Sequence, residues 1–208
     1  MDQDRIQPVM AEYMVIMEEV KSRLHAINTI LRDRNLFEPR IARESCYLQL
    51  RMIAELVALS CVVAHDKLTL GEMKNLRREY SADVILKRME RRHENFFPRA
   101  VFLRKTEDGR GHIDRTEKLG FTAAEMGKLW VRTGEVLHVG AQKKLRSRKA
   151  IDPELADVRS YVERIIDLLS FHAVITVDET HAMICEMNSA DTGRVTMAIA
   201  AAEPNDEQ

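Results

Sequence analysis

The chain has 208 residues, of which 45% are hydrophobic and 31% are charged. This length and hydrophobic share fit one domain with a substantial core, or one domain with an appendage. Because 32 lysine and arginine residues nearly balance 33 acidic residues, the composition excludes both a uniformly basic nucleic-acid binder and an acidic disordered chain.

The N-terminus and the cysteines predict a reducing, cytoplasmic location. The opening residues are polar and lack the cationic start and apolar run of a signal peptide. No uninterrupted apolar stretch reaches the length of about 18 residues that spans a bilayer. The cysteines at positions 46, 61 and 185 have no CxxC spacing, which argues against a disulfide framework and against a zinc site. We expect no metal, no cofactor and no contact with a membrane.

The first predicted helix spans residues 6–34. Its apolar residues recur at alternating spacings of three and four and form one continuous stripe. These residues are Met10, Tyr13, Met17, Val20, Leu24, Ile27 and Leu31. The stripe predicts that one side of this helix packs against a core.

The second predicted helix spans residues 39–65 and is apolar on nearly all sides between residues 46 and 64. Such a helix is expected at the centre of a bundle. Its polar exceptions, Glu44, Arg51 and Glu55, fall within a narrow angular range. They indicate either an Arg–Glu ion pair that fixes the packing register or the polar wall of a functional groove.

Residues 66–120 are interpreted as a charged insertion. Two short helices are predicted over 70–79 and 82–93, and Ser81 is the expected N-cap of the second. Farther along, two short extended runs flank Asp108 and Gly109, which indicates a β-hairpin. The runs are too polar for a central strand, so we expect this hairpin to be exposed.

The C-terminal half begins with two more predicted helices, over 121–140 and 152–171. Thr122 and Glu125 have the spacing of a capping box at the start of the first. Three extended segments follow, over 173–177, 181–187 and 194–200, and they predict a small antiparallel β-meander.

These elements together predict a mainly α fold. We expect a helical bundle of four long helices, with a charged helical and hairpin insertion and a small C-terminal antiparallel β-meander. The predicted bundle covers residues 1–171 with the insertion at about 66–120, the meander covers 172–202, and residues 203–208 form a frayed tail.

Charge is distributed unevenly along the chain. Residues 127–150 contain seven basic residues and one acid, whereas residues 151–208 contain twelve acids and three arginines. This asymmetry indicates contact with a polyanion or self-association. The candidate RNA-binding residues in the basic loop are Lys143, Lys144, Arg146, Arg148 and Lys149.

Arg132 and His138 lie at the end of a predicted helix, just before this basic loop. A neutral imidazole can take the proton of a ribose 2′-hydroxyl or, once protonated, donate a proton to a leaving oxygen. A guanidinium can bind a phosphate and stabilise its developing charge. The pair therefore has the side chains that RNA cleavage through the 2′-hydroxyl requires.

The chain resembles the HEPN superfamily, whose compact α-helical bundles often act in toxin–antitoxin systems and phage defence. The resemblance rests on the two long first helices, on the match of Arg132 and His138 to the family's Rx4-6H pattern, and on the amphipathic helix that follows. It covers somewhat more than half of the chain, and Thr133 stands where the family often has Asn, Asp or His. It implies an RNA-binding protein or metal-independent ribonuclease that acts as a homodimer. Arg132 and His138 would be catalytic, and Glu55 would support them.

Helical geometry leaves other interpretations open. Six helical positions place Arg132 and His138 roughly 120° apart, so they converge only if the helix bends near Gly134 or a second subunit completes the pair. Alternatively, Arg132 pairs with Glu135 on a solvated face, and His138 is a last-turn residue favoured by the helix dipole.

Two other functions would suit these alternatives. The chain could be a non-enzymatic helical homo-oligomeric module for interaction or regulation. It could also be a regulatory domain that binds a small anion through Arg51 and Glu55.

Overall fold

The computed structural model describes residues 3–33, 35–65, 76, 78–105, 111–116, 120–138, 155–175 and 181–201. The helices are α1 (Gln3–Arg32), α2 (Pro39–Ala64), α3 (Ala82–Glu90), α4 (Ala123–Leu137) and α5 (Ala156–Leu169). The strands are β1 (Arg99–Lys105), β2 (Gly111–Arg115), β3 (Phe171–Ile175), β4 (His181–Glu186) and β5 (Thr196–Ala201). All five strands join one antiparallel sheet in the order β2-β1-β3-β4-β5.

The predicted mainly α fold is wrong, because the strands form one sheet and the fold is α+β. The hairpin β1–β2 and the C-terminal strands were expected to be separate additions to a four-helix bundle. Instead β1 pairs with β3, with Arg99 opposite Ala173 and Ala100 opposite His172. This pairing joins strands that are far apart in the sequence, and no local pattern along the chain specifies it.

Strand β1 lies inside the sheet although its polar residues suggested an exposed hairpin. Its pairing with β3 is confined to Arg99 and Ala100, so the rest of the strand borders β2 alone. On that part, Arg104 forms an ion pair with Asp114 across the hairpin, 2.6 Å between Nε and Oδ2. The charge of Arg104 is therefore paired within the hairpin, and only the Arg99 end of the strand lies in the interior of the sheet.

Helix α2 forms the centre of the helical layer and packs against α1, α3, α4 and α5. The predicted apolar stripe of α1 is confirmed, because every one of its seven residues is buried. By length and mean hydropathy α2 could cross a membrane, but 61% of its apolar 18-residue stretch is buried inside the fold. A buried core helix satisfies the same criterion.

The predicted helix caps agree with the structure where it describes them. The Ser81 hydroxyl accepts a hydrogen bond from the Val84 N–H at the start of α3. Thr122 and Glu125 form the reciprocal capping box of α4. Seven of the ten residues of the helix predicted over 70–79 lie outside the described residues. Helix α5 ends at Leu169, and Phe171, predicted to be helical, instead begins β3 opposite Glu186.

A buried hydrogen bond connects the helices to the sheet. His172 on β3 lies 2.8 Å from the Leu169 carbonyl oxygen through Nδ1 and 2.8 Å from the Tyr13 hydroxyl through Nε2. Because a carbonyl oxygen can only accept, Nδ1 carries the proton and Nε2 accepts from Tyr13. Burial lowers the pKa of His172 to about 4, so the fold requires a neutral imidazole.

This requirement predicts that the protein loses stability in mild acid. The unfolded chain binds a proton at His172 below about pH 6.5, whereas the folded chain resists protonation until about pH 4. The free energy of unfolding should therefore fall by about 3 kcal/mol across this window because of His172 alone, and His65, whose pKa burial also lowers, acts in the same direction. Urea unfolding at several pH values gives the free energy of unfolding as a function of pH. As the pH falls, this free energy should decrease less steeply for His172→Gln than for the wild type. Equal slopes in the two proteins would contradict this assignment.

Candidate functional site

One side of α2 carries four polar side chains spaced by four residues, Arg43, Tyr47, Arg51 and Glu55. We call this set the polar ladder. The spacing places them above one another on the helix surface. Their partners come from α4 and α5, so the ladder lies where these helices meet α2.

Glu55 organises the C-terminal half of the ladder. Its Oε1 accepts a hydrogen bond of 2.8 Å from the indole Nε1 of Trp130 on α4. The same oxygen lies 3.2 Å from Nε of Arg51. The Arg51 guanidinium also stacks over the Trp130 ring, 4.2 Å from its centroid. The carboxylate and the indole thus fix the direction in which Arg51 extends.

His138 and the end of Arg51 both lie near Gly134. A Cβ atom placed on Gly134 would be 3.3 Å from Nη1 of Arg51 and 3.8 Å from Cδ2 of His138. The absence of a side chain at Gly134 therefore leaves room for the guanidinium. His138 is exposed and caps α4, and its backbone N–H donates to the Gly134 carbonyl oxygen at 2.9 Å.

Asp157 organises the N-terminal half of the ladder. Its carboxylate accepts two hydrogen bonds from the Arg43 guanidinium and one of 2.7 Å from the Tyr47 hydroxyl. Burial works to raise the pKa of Asp157, but these hydrogen bonds outweigh burial and lower it. The hydrogen bond to Asp157 in turn raises the pKa of Arg43. This half of the ladder is therefore an ionic cluster that joins α2 to α5.

Arg132 pairs with an acid on its own helix. Its Nη1 forms an ion pair of 2.9 Å with Glu135, and the two side chains are 52% and 57% exposed. The hydrogen bond to Glu135 is the main cause that raises the pKa of Arg132, and Tyr47 contributes in the same direction. The interpretation of Arg132 as one half of a solvated ion pair is thus confirmed. The catalytic role assigned to Arg132 together with His138 stays a prediction.

The candidate RNA-binding residues are outside the part of the chain that the structure describes. They are Lys143, Lys144, Arg146, Arg148 and Lys149. The chain leaves the described part after His138 and re-enters it at Leu155, two residues before Asp157. Residues 139–154, which we call the basic segment, are therefore attached at both ends to residues at or next to the polar ladder.

The sequence analysis missed the role of three residues at this site. Trp130, whose indole N–H bonds to Glu55, was not identified as a site residue. Tyr47 and Asp157 were not singled out at all. The four-residue spacing from Arg43 to Glu55 was the available signal for the ladder. The partners on α4 and α5 depend on tertiary packing.

This arrangement has the parts needed for phosphate binding and proton transfer. Arg51 is half-buried and held in place, and a fixed guanidinium can bind a phosphate with two parallel hydrogen bonds. An imidazole can accept or donate a proton near neutral pH. Each ladder arginine already has a carboxylate partner, so the described residues alone add little net charge.

Comparison of the chain with protein-family models, with curated proteins and with solved structures finds no match. The resemblance to the HEPN superfamily therefore stays a prediction.

The double role of Glu55 predicts a graded loss of stability. Glu55→Ala should lower the free energy of unfolding by about 2 kcal/mol, because Trp130 loses its acceptor and Arg51 its partner. Glu55→Gln should cost about half as much, since an amide oxygen can still accept from the indole. Urea unfolding gives both values. The matched control is Glu135→Ala, which breaks an exposed ion pair and should change stability by no more than about 0.5 kcal/mol. Equal effects of Glu55→Ala and Glu135→Ala would contradict this account.

Proposed function

We propose that the protein binds RNA at the polar ladder and cleaves it with His138 and Arg51. The observation that carries this proposal is that an exposed histidine and a fixed, half-buried guanidinium both lie within 4 Å of the position that a Cβ atom on Gly134 would take. The basic segment that begins directly after His138 supports the proposal, because lysines and arginines attract the phosphate backbone independently of its sequence.

Two arginines have different tasks in this proposal. Arg51 binds the phosphate that reacts, because its orientation is set by Glu55 and Trp130. Arg132 binds a neighbouring phosphate. Its present partner Glu135 is exposed, and such pairs contribute little to stability, so an RNA phosphate can replace the carboxylate at small cost.

The chemistry follows from the 2′-hydroxyl of ribose. His138 accepts the proton of this hydroxyl, and the freed oxygen attacks the adjacent phosphorus while the bond from phosphorus to the 5′-oxygen breaks. The leaving oxygen takes up a proton, from the imidazolium or from water. The products are a 2′,3′-cyclic phosphate and a 5′-hydroxyl end. Arg51 stabilises the charge on the phosphoryl oxygens during this step.

This mechanism predicts that His138→Ala abolishes cleavage and leaves binding nearly intact. Loss of a general base typically costs about 10²- to 10⁴-fold in rate. The measurement is cleavage of a fluorescent single-stranded RNA, with product ends identified by mass spectrometry, and binding of the same RNA by anisotropy. The matched control is His25→Ala, which removes an exposed histidine from α1 and should have no effect.

A second control tests the requirement for the attacking group. An RNA with a single 2′-deoxy residue at the cleaved position should bind equally well and stay intact. Unchanged cleavage by His138→Ala, or cleavage of the deoxy substrate, would refute the catalytic role of this histidine.

A second candidate function is a non-enzymatic homo-oligomeric module for interaction or regulation. It is favoured by the ladder's own pairing, since both Arg43 and Arg51 already have carboxylate partners within the fold. In that case the wild type would not cleave RNA, Arg51→Lys would not change RNA binding, and the ladder would serve only to hold α4 and α5 on α2.

A further inference from the structure

A half-buried arginine at the start of β1 has a neutral partner in place of a carboxylate. Nη2 of Arg99 donates a hydrogen bond to the side-chain oxygen Oδ1 of Asn95. Within the part of the chain that the structure describes, no acid forms an ion pair with Arg99. In contrast, Arg43 and Arg51 on the polar ladder each pair with a carboxylate. Because a partly buried charge without a counter-charge is costly, the positive charge of Arg99 is available to an anion.

Asn95 is fixed by the core, so it holds Arg99 in one orientation. The backbone N–H of Asn95 donates to Nδ1 of His93 at 3.1 Å. His93 is only 7% exposed, and its ring packs edge-on against the ring of His65, with 4.9 Å between the ring centroids. The turn that carries Asn95 is therefore anchored inside the protein. A guanidinium that is already oriented loses less side-chain entropy when it binds a ligand.

A second arginine lies next to Arg99 on the neighbouring strand. Arg115 on β2 is opposite Val101, which is two residues after Arg99 on β1. Arg99 and Arg115 therefore project from the same face of the hairpin. Diagonal positions of this kind have Cβ atoms about 7 Å apart, within reach of long side chains. Arg115 is exposed, and its side chain forms no ion pair with any described residue.

The two guanidinium groups repel each other in the folded chain. Burial lowers the pKa of Arg99, and the positive charge of Arg115 lowers it further. Glu94 acts in the opposite direction, with a smaller effect than that of Arg115. Arginine stays protonated at neutral pH even so, so the fold holds two positive charges close together. A bound anion would remove this repulsion.

We propose that Arg99 and Arg115 together bind one phosphate group, with Asn95 holding Arg99 in the binding orientation. A phosphate has the negative charge and the several acceptor oxygens that two guanidinium groups match with parallel N–H···O hydrogen bonds. The group belongs either to a free anion or to the backbone of an RNA, and both present the same oxygens. The proposal does not rest on RNA cleavage, because none of these residues belongs to the polar ladder.

Two NMR titrations test the site and distinguish the two sources of phosphate. One uses inorganic phosphate and the other a short single-stranded RNA. The guanidinium signals of Arg99 and Arg115 should shift together, with one dissociation constant, in at least one titration. A response to inorganic phosphate identifies a site for a free anion, and a response to RNA alone identifies a backbone contact. The signals of Arg51 report on the polar ladder separately. Signals of Arg99 and Arg115 that stay in place in both titrations would overturn the proposal.

Removal of the exposed arginine gives the expected loss of affinity. Arg115→Gln should raise the dissociation constant for phosphate about tenfold, since it deletes charged hydrogen bonds to the ligand. The matched control is Arg194→Gln, which removes an exposed arginine next to β5 at the opposite edge of the sheet and should bind as the wild type does. Equal dissociation constants for Arg115→Gln and the wild type would also refute the proposal.

A change of Asn95 separates orientation from charge. Asn95→Asp keeps an acceptor for Arg99 but supplies the missing carboxylate, so phosphate binding should weaken about tenfold while the free energy of unfolding in urea stays the same or rises. Glu94→Gln removes a nearby negative charge and should tighten binding. If the contact between Asn95 and Arg99 served the fold alone, neither variant would change the affinity for phosphate. Wild-type affinity in Asn95→Asp would contradict the role of the uncompensated charge.

Discussion

The arrangement of the C-terminal half of the polar ladder depends on one carboxylate. Glu55 receives the indole N–H of Trp130 and the guanidinium of Arg51 at the same oxygen, so it both attaches α4 to α2 and directs the arginine. A half-buried charge needs such a partner, because desolvation without one is costly. Gly134 suits this arrangement, since a Cβ atom there would lie 3.3 Å from Nη1 of Arg51. His138 lies about one turn farther along, at the C-terminal end of α4.

The rest of the fold joins the helices to the sheet through a buried core. The hydrogen bond between Tyr13 and His172 connects α1 to the sheet inside the core, and the apolar side of α2 fills the space between α1, α3, α4 and α5. The polar ladder and its partners therefore lie on helices alone.

Sequence patterns predicted what depends on neighbours along the chain. The apolar stripe of α1, the capping box of Thr122 and Glu125, and the ion pair of Arg132 with Glu135 are all set by spacings of three or four residues. The pairing of β1 with β3 could not be predicted in this way, because it joins Arg99 to Ala173 across α4 and α5. The same limit applies to the candidate site residues. A motif read along one helix indicated Arg132, whereas the position of Arg51 near Gly134 depends on how α2 packs against α4.

The most direct test of the central claim is an NMR titration of the protein with a short RNA that carries a 2′-deoxy residue at the attacking position. The account predicts that the imidazole signals of His138 and the guanidinium signals of Arg51 shift together, with one dissociation constant that rises with salt concentration. The imidazole signals of His25 should stay unchanged. Shifts that leave both His138 and Arg51 unaffected at saturation would contradict the placement of RNA on the polar ladder.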